Sequence, residues 1–158
     1  MNPGLILAST AVAFTVAVTF LLVLRPVALG IGLLDAPGGR KFHKGNIPIT
    51  GGIAMYVALV AGGSFLPVPD NVALSIFIAS TILVAVGVVD DRFHISYVPR
   101  LLSQVIAVLL MFFGAGLSLA DIGDPFGTGL LMTGRLSLIV TMLVFVAMIN
   151  AYNFIDGA

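Results

Sequence analysis

Two aspartates stand side by side at the end of a long apolar run. The stretch Ala85–His94 reads AVGVVDDRFH, and no charged residue lies between Asn71 and Val89. Adjacent carboxylates repel each other, and at the C-terminal end of a helix they also meet the negative end of its dipole. Such a pair asks for a cation. A hard divalent ion with oxygen ligands, such as Mg2+, is the simplest answer, because it binds one or two carboxylates and leaves its other positions to substrate phosphates. Asn150, Asn153 and Asp156 recur every three residues, which on a helix gives them one broad face. Arg100 and Gln104 are four apart and also share a face. A third polar stretch, RKFHKGNIP from Arg40 to Pro48, supplies Arg40, Lys41, His43 and Lys44. Carboxylates for a metal, with Arg and Lys for the phosphate charge it leaves uncompensated, together suggest phosphate chemistry.

Each feature has a plainer reading. Basic residues in the first loop can serve topology alone. His43 and His94, taken singly, fit interfacial side chains better than ligands, and Gly51 and Gly52 permit close helix contact. Helix caps or water-facing positions account for Asp35, Asp70, Asp121 and Asp124. The Asp90–Asp91 pair resists that treatment.

The elements that must position these residues follow from composition. The chain is 59% hydrophobic and 9% charged, without Glu, Cys or Trp, and its mean hydropathy is +1.18. That leaves too little polar surface to cover a soluble domain. Lack of Cys removes disulfide and thiolate chemistry, and zero net charge argues against a nucleic-acid partner. Charge-free windows run Asn2–Leu24, Gly45–Pro69, Asn71–Val89, Leu101–Ala120 and Leu136–Ile155. Each is near or above the roughly 20 residues that a helix needs to cross a bilayer. They are continuously apolar rather than alternating, which disfavours a barrel. The fold class is therefore all-α and polytopic, with about five transmembrane helices at about 4–24, 47–66, 71–89, 99–119 and 135–155. The N-terminus lacks a basic n-region and its first apolar run is long, so it reads as a span rather than a cleaved signal.

Arg25, Arg40, Lys41, Lys44, Arg92 and Arg100 fall in the first and third loops, and Arg135 alone falls near the others. The positive-inside rule then puts the N-terminus outside and the C-terminus in the cytoplasm. Pro67, Pro69 and the stretch PFGTGLLMTG (Pro125–Gly134) become outside turns. All three polar stretches come to the cytoplasmic face.

In this order, RKFHKGNIPITGG (Arg40–Gly52), VVDDRFHIS followed by Arg100 and Gln104, and NAYNFIDG (Asn150–Gly157) resemble the polyprenyl-phosphate N-acetylhexosamine-1-phosphate transferase family. The first motif is closer to the branch acting with N-acetylglucosamine than to the pentapeptide branch. The resemblance implies attack of a polyprenyl phosphate on the β-phosphorus of a UDP-sugar, with Mg2+ as cofactor and UMP released, at the start of cell-envelope glycan synthesis. It implies Asp90, Asp91 and Asp156 as catalytic residues, with Asp90 and Asp91 also holding the metal. It implies Lys44, His43, Arg40, Arg100 and Asn153 as substrate-binding residues. The implied setting is the inner (plasma) membrane with a cytoplasmic active face, and a homodimer stays open.

The resemblance spans this chain but only the N-terminal half of such an enzyme, whose last motif continues past Asp156-Gly157-Ala158. One transmembrane domain, part of a larger enzyme and inactive by itself, is the expectation. A small transporter subunit or a non-enzymatic membrane scaffold is the alternative. Transporters place ionisable sites near the bilayer midplane, whereas every window centre here lacks charge.

Overall fold

The computed structural model describes residues 2–31, 34–35, 47–48 and 50–156. Among them five helices form: α1 (Pro3–Ile31), α2 (Gly51–Gly63), α3 (Asp70–Phe93), α4 (Tyr97–Gly114) and α5 (Ser137–Asp156). A single 3-10 turn at Gly134–Leu136 leads into α5. Between α1 and α2, strands β1 (Leu34–Asp35) and β2 (Ile47–Pro48) pair antiparallel, with Leu34 opposite Pro48. Four segments are long and apolar enough to cross a membrane: Pro3–Gly30, Asp70–Phe93, Tyr97–Gly114 and Gly134–Phe154.

Four helices depart from the sequence expectation: the third, expected to stop at 89, runs on to Phe93, and three others differ for a local reason. The first helix does not stop at residue 24 but runs through Arg25 and Pro26 to Ile31. Its extension has packing to gain, since Ala28 is buried and α1 reaches β2. The second helix, expected over 47–66, has only 13 residues. Pairing of Ile47 and Pro48 precedes it, and Gly62, Gly63 and the nearby Pro67 close it. The fourth helix ends at Gly114 rather than 119, because Gly116 turns to φ +70° and Leu117 N–H folds back onto the Met111 carbonyl at 3.0 Å.

The core is small and polar, and the large apolar side chains point outward. Ala28, Ala54, Ala58, Ala79, Ala107 and Val108 are buried together with Ser9, Thr50, Ser75, Ser103, Gln104 and Thr141. Leu7, Phe14, Leu22, Met55, Phe113 and Leu143 are exposed. Lipid tails are as apolar as Leu, so helices in a bilayer associate through close backbone approach and interhelical hydrogen bonds instead. The joints follow that rule. Ser9 Oγ donates to the Gly62 carbonyl at 2.7 Å between α1 and α2, and a Cβ on Gly62 would stand 2.8 Å from the Ala13 Cβ. Between α2 and α3 the Tyr56 and Thr81 hydroxyls are 2.8 Å apart. Asn71 Nδ2 donates to the Gly114 carbonyl at 2.9 Å, joining the start of α3 to the end of α4.

The expected turn region before α5 is a loop strapped onto the helix that follows it. Thr141 is fully buried; its hydroxyl accepts the Leu119 N–H at 3.0 Å and donates to the Ser137 carbonyl at 2.6 Å. Thr133 and Ser137 hydroxyls both donate to the Leu119 carbonyl, at 2.6 and 3.0 Å. Turns over 64–69 and 94–96 join α2 to α3 and α3 to α4, and helices so joined run antiparallel. The β1–β2 pair, the α3–α4 turn and the C-terminal part of α5 therefore share one end of the bundle.

Candidate active site at one end of the bundle

Asp90 and Asp91 belong to the last turn of α3, not to a loop. His94 ends the helix in the left-handed conformation, φ 51° and ψ 55°, and its N–H bonds the Asp90 carbonyl at 2.7 Å. A left-handed residue at this position closes the helix sharply, and three residues later α4 begins. That tight reversal carries Arg100 back beside α3. Its Nη1 donates to Asp90 Oδ2 at 3.1 Å, an ion pair with 46% of the arginine and 22% of the aspartate side chain exposed. Among the described residues, Arg100 is thus a cation that answers Asp90. Asp91 is exposed beside it.

One turn along α4 from Arg100, Gln104 is buried and meets Asn150 of α5. Asn150 Nδ2 donates to Gln104 Oε1 at 2.7 Å and to the Val146 carbonyl at 2.8 Å. In return Gln104 Nε2 approaches Asn150 Oδ1 at 3.5 Å. Asn153 follows one turn later and is exposed. The structure therefore brings Asp90 to Arg100 and Gln104 to Asn150, and places Asn153 on the same end of the bundle. Arg40, His43, Lys44 and the side chain of Asp156 lie outside the described residues.

Gln104 and Asn150 entered the sequence reading as members of shared helix faces and of the resembling motifs, without a role of their own. A primary amide inside an otherwise apolar helix is the signal that marks them, since hydrocarbon offers it no partner. Among the described residues no group of three or more His, Cys, Asp or Glu side chains gathers at one point. Two neighbouring carboxylates remain, with hard oxygen donors of the kind Mg2+ takes alongside phosphate and water.

A polytopic helical membrane protein, with carboxylate, guanidinium and amide groups collected at one end, is the class this fold and site define. Residues 73–158 match the model of glycosyl transferase family 4, and the chain belongs to that family. It is similar to the undecaprenyl-phosphate alpha-N-acetylglucosaminyl 1-phosphate transferase of Yersinia pestis, 38% identical over 91% of this chain and 40% of the relative. The protein of the same name from Salmonella typhi is 37% identical over 91% of this chain and 39% of its own length. A probable undecaprenyl-phosphate N-acetylglucosaminyl 1-phosphate transferase of Bacillus subtilis is 30% identical over 92% and 42%. The chain thus spans about two fifths of the length of these relatives. No solved structure matches it.

Proposed function

We propose that this chain forms part of an enzyme that transfers a sugar-1-phosphate from a UDP-sugar, of the N-acetylhexosamine class, to a polyprenyl phosphate, releasing UMP. The observation that carries this reading is the Asp90–Arg100 pair at the border of two apolar helices, in a chain of the glycosyl transferase family 4. The relatives' names supply the reaction class and the lipid carrier. The expected site is the cytoplasmic face of the inner membrane.

Both reactants are anionic, so the main barrier is bringing two phosphates into line. Asp90 and Asp91 would hold Mg2+, which when bound offsets phosphate charge. Arg100 steadies the Asp90 carboxylate and presents its remaining N–H donors to a phosphate oxygen, for which a guanidinium fork is well shaped. A phosphate monoester has its second pKa at about 6 and is largely dianionic at neutral pH. The chain's residues therefore serve to place and balance charge more than to remove a proton. Asn153, with Asp156, Lys44, His43 and Arg40, is assigned to the sugar nucleotide. Placement of charge at the rim of the spans, rather than at their centres, favours this reading over a transporter subunit.

The test uses the protein expressed from its complete gene. Membranes containing it should move radiolabel from a UDP-N-acetylhexosamine to polyprenyl phosphate and release UMP, and EDTA should abolish both. Transfer undiminished by metal chelation would remove Mg2+ from the scheme, and no transfer with any UDP-sugar would remove the reaction.

A further inference from the structure

We infer that Gln104 and Asn150 form an interhelical clasp that sets the roll and register of α5 against α4, and that they act as positioning residues for the site. The inference rests on the proposed reaction for its catalytic consequence but not for its structural one. Three observations carry it. First, Gln104 keeps only 4% of its surface exposed, inside a span of 18 residues. An amide so placed costs free energy unless it is paired. Second, both hydrogens of the Asn150 amide are engaged, one by Gln104 and one by the Val146 carbonyl at 2.8 Å. Its carboxamide plane is therefore tied to its own helix before it reaches across. Third, the clasp sits between the two parts of the site: Arg100 is four residues before Gln104 on α4, and Asn153 is three residues after Asn150 on α5.

Ala107 and Val108 are buried on the same helix as Gln104, and apolar surfaces of this size slide past each other at small cost. A hydrogen-bonded amide pair does not, because a rotation or one-residue slip of either helix takes the exposed Asn150 away from Gln104 and leaves the buried Gln104 amide unmet. Single polar residues at packed helix positions are known to fix register in this way. Here the register so fixed is that of Asn153 relative to Asp90 and Arg100.

The experiment takes the complete gene product in lipid nanodiscs, on a cysteine-free background. Spin labels at Ser96→Cys and Ala151→Cys report the separation between the α3–α4 turn and α5. Gln104→Leu and Asn150→Leu should each shift or broaden that separation, and lower kcat per folded molecule roughly 10- to 100-fold, with a smaller change in KM. The exchanged pair Gln104→Asn with Asn150→Gln should recover the separation and most of the turnover. Leucine variants that keep the native separation and kcat, and lose only thermal midpoint, would reduce the clasp to ordinary packing and overturn the inference. If the unmodified protein transfers no sugar-phosphate, the proposed function fails and the label separation alone decides: a shift supports the clasp, an unchanged separation overturns it.

Discussion

Asp90 keeps 22% of its side chain exposed and Arg100 46%, so their 3.1 Å contact is partly solvated. Ion pairs in such settings contribute about 0–1 kcal/mol to stability. Asp90→Asn should therefore leave the thermal midpoint nearly unchanged. On the proposed function, UMP release by the complete gene product should nonetheless fall by roughly 100-fold, because preorganised charge is worth far more to a transition state than to a fold. A parallel fall in midpoint and activity would make Asp90 a structural residue. Asp70 is the control. It lies in the first turn of α3, at the opposite end, where a carboxylate gains about 0.3–1 kcal/mol from the helix dipole. Asp70→Asn should cost that much stability and no turnover. The aspartate pair stood out in sequence against its apolar surroundings. Its partner did not: Arg100 is ten residues on, and only the left-handed turn at His94 returns it to Asp90.

The helices show where small residues govern contact. A Cβ on Gly62 would meet the backbone oxygen of Ser9 at 2.9 Å, whereas a Cβ on Gly114 would meet the hydroxyl of Ser75. Backbone cannot yield, but a serine can be removed. Gly62→Ala should cost about 1–3 kcal/mol, as overpacking does, with no single second-site remedy. Gly114→Ala should be partly rescued by Ser75→Ala. Thermal unfolding of the four variants in one detergent checks the pattern, and equal tolerance of both alanines would refute the close approach. Five helices were readable from window length alone, although among the described residues only four of the five expected spans are long and apolar enough to cross a membrane, α2 being too short. Their ends were not, since a charge-free window marks what lipid tolerates, and Gly116 or the Ile47–Pro48 pairing ends a helix without any change of polarity.

For the molecule as a whole, antiparallel helices and the cation distribution predict that the α3–α4 turn faces the cytoplasm and the loop before α5 faces outside. Single cysteines replacing Arg92 and Ile122, both exposed, should react with an impermeant maleimide from opposite sides of sealed vesicles. Labelling of both from the same side would reverse the assignment of faces. The short second helix carries a consequence for the lipid. Its 13 residues rise about 20 Å and the 29 of α1 about 43 Å, against a hydrocarbon thickness of about 30 Å. Met55, Leu59 and Val60 nonetheless turn outward from α2. Were α2 to cross the bilayer with its neighbours, acyl chains along that flank would compress while those along α1 need not, at a fraction of a kcal/mol per ångström of mismatch. The annulus of lipid would then be uneven around the bundle, pinched beside α2, and the protein should be more stable in thin bilayers than in thick ones.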